Sequence, residues 1–253
     1  MSRFELYSPE GMRIDGRRSN ELRSFNCNIN THPNASDGSS FIQQGNSNVI
    51  CLVKGPMDPS YSTIKNGSGA GQSTSIDEPT LNISINYPPF ANNDRRKKLT
   101  KNDRRLTELS IILTKCFLKT IVLKNYPRTV IDVQVTLLSF DGGLLSACCN
   151  AITLALIDAG IALYDYVTAV TVGIYDQVPL LDLCTLEEND LSFITVGVVG
   201  DSDKLNLILC EDKLPLDKLE RMIGLGIQGC HRLKELMDAK VREVGFDLLN
   251  KKQ

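Results

Sequence analysis

Residues 141–161 read Asp-Gly-Gly-Leu-Leu-Ser-Ala-Cys-Cys-Asn-Ala-Ile-Thr-Leu-Ala-Leu-Ile-Asp-Ala-Gly-Ile. After the two glycines the stretch is apolar on nearly every side, which is typical of a helix that is covered on most of its faces. Gly160 suits the C-terminal cap of that helix. Its polar interior residues are Ser146, Asn150 and Thr153, whose spacing of four and three places them on one narrow stripe. The pattern predicts a core helix that is entered from a strand.

The glycine turn before this helix is also a candidate anion site. A helix N-terminus presents unpaired N–H groups and a partial positive charge, and both favour a phosphate group. A strand-like stretch over 128–140 leads directly into the turn. We therefore ask whether the start of the helix, at Gly143, holds a phosphate.

The chain on either side of the helix alternates between strand and helix patterns. Apolar residues alternate with polar ones over 22–29 and 81–87, which are predicted strands. Strands are also predicted over 39–42, 49–53, 128–140, 169–174, 180–183, 193–199 and 205–209. Apolar positions spaced by three and four predict two amphipathic helices, one capped by Asp103 and one running from Pro215 to about Val244. This order favours an α+β fold, with mixed and antiparallel sheets packed against helices.

We expect the whole chain, residues 1–253, to form a single domain. The stretch 60–77 is rich in serine, threonine, glycine and asparagine, and we expect a flexible loop there. The tail over 248–253 is expected to fray.

Composition excludes several classes of protein. No apolar run suggests a membrane span and the N-terminus lacks a signal-peptide pattern, so we expect an intracellular protein without membrane contact. Eight cysteines include no C-x-x-C pair and fall mostly in apolar patterns, where reduced core thiols are favoured over zinc or disulfides. With two histidines far apart in sequence, a histidine-based metal or catalytic site is not favoured. We expect neither a metal nor a cofactor.

Positive charge is concentrated in the first half of the chain. Residues 1–130 carry 18 Lys and Arg against 11 Asp and Glu, whereas the remainder carries 10 against 19. The densest stretch, 94–105, has seven cations and two anions. Its arginines form two adjacent pairs, Arg95 with Arg96 and Arg104 with Arg105, and a guanidinium group can contact phosphate oxygens bidentately. A solvated charged loop is the alternative, but the pairs favour sequence-independent contact with a phosphate backbone.

Carboxylates cluster after the predicted strand 180–183. Asp182 lies between two leucines, where an unpaired charge would be costly. Glu188 and Asp190 follow it by six and eight residues. These groups could converge on a cation or act as an acid pair. A strand end followed by an acidic turn explains the same residues equally well.

Together these stretches resemble the RNase PH family, and within it the RNA exosome ring subunit that is catalytic in archaea. The resemblance covers roughly residues 10–245 and rests on Arg-Ile-Asp-Gly-Arg at 13–17, Asp-Arg-Arg-Leu-Thr-Glu-Leu-Ser at 103–110, Tyr-Pro-Arg-Thr-Val-Ile-Asp-Val at 126–133, Leu-Ala-Leu-Ile-Asp-Ala-Gly-Ile at 154–161 and Leu-Asp-Leu at 181–183. It implies an RNase PH-like fold. It also implies a reaction in which inorganic phosphate attacks the last phosphodiester bond of an RNA 3′ end and releases a nucleoside diphosphate.

The resemblance also locates the phosphate cradle, and here this chain departs from the family. The family places a Gly-Ser/Thr-Arg triplet at the start of the buried helix, whereas the matching residues here are Gly143, Leu144 and Leu145. Leu144 has no hydroxyl group to donate and Leu145 carries no charge. If each lost donor costs about 10²–10³ in rate, as oxyanion-hole donors do, phosphorolysis falls below a useful rate.

This chain keeps some of the family's other catalytic positions. Asp182 matches the family's first catalytic aspartate and Glu188 a second acidic position, while a later aspartate position holds Ile194. By resemblance, Asp182, Glu188, Gly143, Leu144 and Leu145 form a vestigial catalytic site. The arginines that contact RNA in the family are intact, and the matching residues are Arg95, Arg96, Arg104 and Arg105.

This combination resembles the fungal exosome subunit that no longer cuts RNA. It implies a non-catalytic structural and RNA-channel subunit of a six-membered ring, which binds single-stranded RNA and adjoins other RNase PH-like subunits, RNA-binding cap subunits and a separate hydrolytic 3′ to 5′ nuclease. Such a subunit works in the nucleus, nucleolus and cytoplasm, in rRNA processing and RNA degradation. Two alternatives stay open at this point: an active phosphate-dependent 3′ to 5′ exoribonuclease, and a free-standing RNA-binding protein.

Overall fold

The computed structural model describes residues 6–8, 10–58, 79–91 and 103–251. Its strands are β1 (Phe25–Ile29), β2 (Gly38–Gln44), β3 (Ser47–Met57), β4 (Thr80–Asn86), β5 (Val130–Ser139), β6 (Val167–Tyr175), β7 (Val178–Leu181), β8 (Ser192–Val199) and β9 (Leu205–Cys210). Its helices are α1 (Arg104–Leu118), α2 (Leu144–Asp158), α3 (Thr185–Asp190) and α4 (Leu216–Lys251), with a 3₁₀ turn at Leu123–Asn125. The predicted α+β fold is confirmed. The predicted loop over 60–77 lies outside the described residues.

The first sheet is mixed and has the strand order β1-β2-β3-β5-β4. Strands β1, β2, β3 and β5 pair antiparallel, whereas β4 runs parallel to β5. Strands β2 and β3 meet at a tight turn through Gly45, whose φ of 59° is the left-handed conformation that glycine adopts without strain. The two strands are therefore longer than the predicted 39–42 and 49–53, since β2 ends at Gln44 and β3 begins at Ser47.

The second sheet is antiparallel and has the order β7-β6-β8-β9. Helix α2 lies between the two sheets, because it contacts β2 and β3 of the first and β6 of the second. Twelve of its fifteen residues are buried, all except Leu144, Ile157 and Asp158 at its ends, and its side chains join residues of both sheets in one hydrophobic core. Gly38 allows the closest approach, since a Cβ there would stand 2.4 Å from the carbonyl oxygen of Ala155. The predicted core helix is confirmed, and Gly160 follows it with φ 69°.

The polar stripe of α2 faces strand β6. Strand β7 pairs only with residues 172–175 of β6, so the earlier residues of β6 turn their backbone groups toward the helix. Asn150 bonds both groups of Ala169, accepting from its N–H at 2.9 Å and donating to its carbonyl at 3.0 Å. The Thr153 hydroxyl donates to the Val167 carbonyl at 2.7 Å. The stripe therefore supplies hydrogen bonds that a neighbouring strand would otherwise make.

Helix α4 covers the other face of the second sheet and contacts β6, β7 and β8. Met222, Cys230 and Leu233 pack there against Val172 and Val196. The helix continues to Lys251, past the predicted end near Val244, so residues 248–251 are helical where a frayed tail was expected. None of the helices within the described residues is long and apolar enough to cross a membrane.

Candidate functional site

A cleft of about 970 Å³ opens beside the start of α2. Helix α1 contributes one wall, α3 another, and the ends of β4, β8 and β9 close the remaining sides. Its lining residues are Asn46, Tyr87, Phe90, Ala91, Asp103, Arg105, Leu106, Leu109, Ser139, Phe140, Asp141, Leu144, Leu145, Thr171, Thr185, Leu186, Glu188, Asn189, Phe193, Thr195, Leu209 and Glu211. Leu144, Leu145, Glu188 and Arg105 were all singled out from the sequence, and the fold brings them together here.

The start of α2 is the point at which the resemblance expects a phosphate cradle. Gly143 is the N-cap residue and has a left-handed φ of 67°. Leu144 and Leu145 follow it and both line the cleft. The backbone N–H of Gly143 donates to the Glu188 carboxylate across 2.6 Å. A carboxylate of the protein itself therefore takes up one of the backbone donors at the start of this helix.

Glu188 lies in an environment that disfavours its charge. Burial raises its pKa to about 6, although the Gly143 N–H and the nearby Arg23 and Arg105 favour ionisation and limit the rise. A carboxyl group with such a pKa can exchange a proton near neutral pH. The side chains of Leu144 and Leu145 offer neither a hydrogen-bond donor nor a cation to a reacting phosphate.

Asp182 lies beneath the cleft and is fully buried. Its φ of 56° is left-handed, a conformation that aspartate tolerates better than most residues. The carboxylate accepts from the backbone N–H of Arg23 at 2.9 Å, from Arg23 Nη2 at 2.8 Å and from Gln44 Nε2 at 2.9 Å. These contacts engage both carboxylate oxygens. Asp182 therefore anchors the end of β7 to the first sheet.

Arg23 links Asp182 to the turn before α2. Its guanidinium group also donates to the carbonyl oxygen of Asp141. Burial lowers the pKa of Arg23, but contact with Asp182 more than offsets this effect, and the pKa is raised. Sequence reasoning singled out neither Arg23 nor Gln44. The available signal was Asp182 itself, because a carboxylate inside an apolar strand end requires a partner.

Arg13 makes a second buried ion pair behind the cleft. It binds Glu187 bidentately, with Nε at 2.7 Å from Oε1 and Nη2 on Oε2, and it donates to the Leu181 carbonyl at 2.5 Å. Burial raises the pKa of Glu187, but Arg13 more than offsets this effect and the pKa is lowered. Arg13 therefore fixes the N-terminal segment to the end of β7 and to α3.

The acidic stretch after Asp182 forms the short helix α3, which the sequence pattern presented as a turn. Its carboxylates do not converge. Glu187 is buried against Arg13, Glu188 faces the cleft, and Asp190 is exposed. Ile194, at the family's later aspartate position, is fully buried in the second core cluster. Within the described residues no group of three or more acidic, histidine or cysteine side chains could hold a metal ion, so the interpretation of this stretch as a cation site is wrong. The charge of Asp182 reaches Glu188 and helps to raise its pKa, so the interpretation of these two residues as an acid pair stays a prediction.

The predicted RNA-binding arginines fall in two groups. Arg95 and Arg96 lie outside the described residues. Arg104 and Arg105 occupy the first turn of α1, where Asp103 caps the helix by accepting from the Arg105 N–H at 3.2 Å. The Arg104 side chain is 92% exposed and pairs with Glu108 at 2.9 Å, whereas Arg105 lines the cleft.

The fold is similar to that of solved structures. A rice (Oryza sativa) Rrp46 crystal structure matches with a TM-score of 0.77 at 22% identity, covering 91% of this chain and 100% of that one. The Archaeoglobus fulgidus exosome with RNA bound to the active site matches with a TM-score of 0.72 at 20% identity, covering 89% and 92%.

Sequence comparison is more specific. Residues 21–162 match the model of domain 1 of the 3′ exoribonuclease family, RNase PH, and residues 165–229 match domain 2. Exosome complex component SKI6 of Saccharomyces cerevisiae is 50% identical over 243 residues, or 96% of this chain and 95% of the relative. Exosome complex component RRP41 of Homo sapiens is 32% identical over 96% of both chains. The chain belongs to the RNase PH family of 3′ exoribonucleases.

Proposed function

We propose that this chain is a ring subunit of the RNA exosome core that supports 3′ to 5′ RNA processing and degradation without cutting RNA itself. Relatives that match nearly its whole length are named exosome complex components. In this role it adjoins other RNase PH-like subunits in a six-membered ring and contacts RNA-binding cap subunits. A separate hydrolytic 3′ to 5′ nuclease carries out the cleavage, in the nucleus, nucleolus and cytoplasm.

The proposal that this chain does not cut RNA rests on the start of α2, where Leu144, Leu145 and Glu188 stand at the position of the family's phosphate cradle. Phosphorolysis requires a cradle that holds inorganic phosphate against the RNA 3′ end, with donors fixed before the reaction. Leu144 and Leu145 line that position with hydrocarbon. The Gly143 N–H is taken by Glu188, whose negative charge repels a phosphate ion.

Contact with RNA is assigned to the arginines around the start of α1. The Arg104 side chain is not among the residues that line the cleft, and it is almost fully exposed. Its guanidinium group can therefore reach the phosphate backbone of an RNA that runs along the outer surface of α1. Arg105 lies at the cleft, and Arg95 with Arg96 precede both in sequence. Such contacts are independent of sequence and weaken as the salt concentration rises.

The test is a phosphorolysis assay on the full-length chain reconstituted with its RNase PH-like ring partners. Single-stranded RNA and inorganic phosphate are added, and released nucleoside diphosphates are measured against a phosphate-free reaction. We expect no phosphate-dependent release. A phosphate-dependent release that Glu188→Ala abolishes in a correctly assembled ring would establish the active exoribonuclease instead. Glu188 is the informative position, because replacing the buried Asp182 would disturb the fold.

A further inference from the structure

An aspartate is followed directly by a glycine at three places in the chain, namely Asp15, Asp37 and Asp141. In such a pair the backbone nitrogen of the glycine can attack the aspartate side chain with little hindrance, because glycine carries no side chain of its own. The attack closes a five-membered ring, and the ring can reopen with the main chain routed through the aspartate side chain. The surroundings of each pair in the folded protein decide whether it is free to react.

The pair at Asp37 is held on both sides. Its carboxylate accepts from the backbone N–H of Gly55 at 2.9 Å. Gly38 begins strand β2, where it pairs with Val53, and a Cβ there would stand 2.4 Å from the carbonyl oxygen of Ala155. The peptide between Asp37 and Gly38 can therefore rotate only if the end of the strand leaves the core.

The pair at Asp141 is held in a similar way. Its carboxylate accepts from the backbone N–H of Thr185 and from Asn46 Nδ2, both at 3.2 Å. Gly142 is buried, and a Cβ there would stand 2.5 Å from the carbonyl oxygen of Leu183. Reaction of this pair would therefore require the turn before α2 to separate from α3 and from the β2–β3 turn.

The pair at Asp15 is open. Asp15 and Gly16 are both exposed, and a Cβ at Gly16 would meet no atom within 4 Å. The Asp15 carboxylate pairs with Arg17 Nη2 at 3.1 Å, and 41% of the Asp15 side chain faces solvent. The Gly16 N–H donates to the Arg13 carbonyl at 2.9 Å and closes a β-turn over residues 13–16. An exposed ion pair and a turn hydrogen bond are weak restraints, since both can open while the core stays intact.

We propose that Asp15 is a site of spontaneous isomerisation to isoaspartate in the folded protein, whereas Asp37 and Asp141 are protected. The Gly16 nitrogen bonds to Cγ of the protonated Asp15 carboxyl group, and the carboxyl hydroxyl group leaves as water with the proton of that nitrogen. Water then adds to the former main-chain carbonyl carbon of Asp15 and breaks its bond to the nitrogen. That carbon becomes a free carboxyl group, and the main chain continues through Cβ and Cγ. The atoms of the chain are conserved, and water is the only co-reactant.

The isomer changes the main chain between two arginines that attach the N-terminal segment to the rest of the molecule. Arg13 binds Glu187, and Arg17 Nη1 donates to the Asp182 carbonyl at 3.1 Å. The Arg13 N–H also donates to the Arg17 carbonyl at 2.9 Å. Lengthening the main chain by a carbon atom between these two residues displaces that bond and the side chains on either side of it. We therefore expect the isomer to loosen the N-terminal segment from β7 and α3, whether or not the chain cuts RNA.

Residue-resolved mass spectrometry of the full-length chain tests the site. The folded protein is aged in mildly acidic buffer and digested, and electron-transfer fragmentation separates isoaspartate from aspartate at each position. We expect isoaspartate to form at Asp15 about ten times faster or more than at Asp37 or Asp141, because those two react only after local unfolding. In denaturant the three rates should agree within about threefold, because the packing that distinguishes them is lost. Similar rates at the three positions in the folded protein, or no isoaspartate at Asp15, would overturn the inference.

The variant Asp15→Glu tests the structural consequence. Glutamate keeps the charge but would have to close a six-membered ring, which forms far more slowly. Aged wild-type protein should unfold at a lower urea concentration than fresh protein, by a shift that grows with its isoaspartate content at residue 15, whereas the aged variant should keep the midpoint of the fresh variant. Asn66–Gly67, outside the described residues, is present in both proteins, so its reaction cancels in the comparison. Equal shifts in the two aged proteins would contradict the loosening of the N-terminal segment by the isomer.

Discussion

Asp182 and Glu188 are six residues apart, both resemble catalytic carboxylates, and yet their surroundings give them different tasks. Asp182 is paired with Arg23 and holds two elements together, whereas Glu188 faces an open cleft and touches the N-terminus of α2. Sequence resemblance marks both positions but does not distinguish them. Their partners lie on distant parts of the chain, so burial and pairing became visible only in the folded molecule.

Replacing Asp182 tests its structural role. Asp182→Asn keeps the shape and tolerates the left-handed backbone, but it removes the carboxylate charge that contacts the buried Arg23 guanidinium group. We expect the free energy of unfolding to fall by about 3–5 kcal/mol, as for other broken buried pairs. Urea denaturation measures this change, and Asp201→Asn at an exposed aspartate serves as control, with a much smaller change expected. Equal stability of the two variants would contradict the assignment.

Glu188 predicts a pH dependence of stability. Its pKa is about 6 in the folded chain against an ordinary 4.5, so the native state binds the proton more tightly than the unfolded state does. Stability therefore falls as pH rises from about 4.5 to 6, by about 2 kcal/mol in total. Glu188→Gln removes this contribution. Between pH 4.5 and pH 7, the unfolding free energy of the wild type should therefore fall by about 2 kcal/mol more than that of the variant. Denaturation at both pH values measures this difference.

Burial also raises the pKa of Asp158. Such groups are present in both proteins, so their contributions cancel in the comparison. Identical pH profiles for the wild type and the Glu188→Gln variant would show that Glu188 titrates normally.

At the scale of elements, helix α2 was the most predictable and the most informative part of the chain. Its apolar composition predicted burial on most sides, and its three polar residues predicted a single stripe. The partner of that stripe could not be predicted, because the backbone of β6 reaches it only after the second sheet has formed. Helix α3 was missed since six residues are too few to show a helical period, and α4 was predicted too short because its last turns lack buried positions to mark them.

Asn150 provides the test of the stripe. Asn150→Leu preserves size and helix propensity but leaves the N–H and carbonyl groups of Ala169 without the partners they have now. Each buried unpaired group costs about 1–3 kcal/mol, so we expect a loss of about 2–5 kcal/mol of unfolding free energy. Chemical denaturation measures it. Asn250→Leu, an exposed asparagine on α4, is the matched control, and equal effects of the two changes would refute the proposed role.

At the scale of the whole molecule, the two sheets share one hydrophobic core. Val167, Ala169 and Leu207 of the second sheet pack in the same cluster as the strands of the first, with α2 between them. The Arg23–Asp182 pair adds a polar link between the sheets. The family models divide the chain into two domains, but this packing supports the prediction that it behaves as one folding unit.

A single cooperative transition is the expected result. Calorimetric and van't Hoff enthalpies of thermal unfolding should agree, and hydrogen exchange measured by mass spectrometry should show β3 and β8 opening together. Exchange in β8 that is much faster than in β3, with two calorimetric peaks, would show that the family's two domains unfold separately.

The side-chain bonding of α2 to β6 also bears on solubility. The first half of β6 has neighbouring β8 on one side, and on its other side the helix covers backbone groups that would otherwise be open. An open strand of this kind, rich in valine, is a template on which a strand from another molecule can add and start an aggregate. Asn150 and Thr153 therefore protect this edge of β6 from pairing with another molecule, and their loss should increase the fraction of insoluble protein as well as lower the melting temperature.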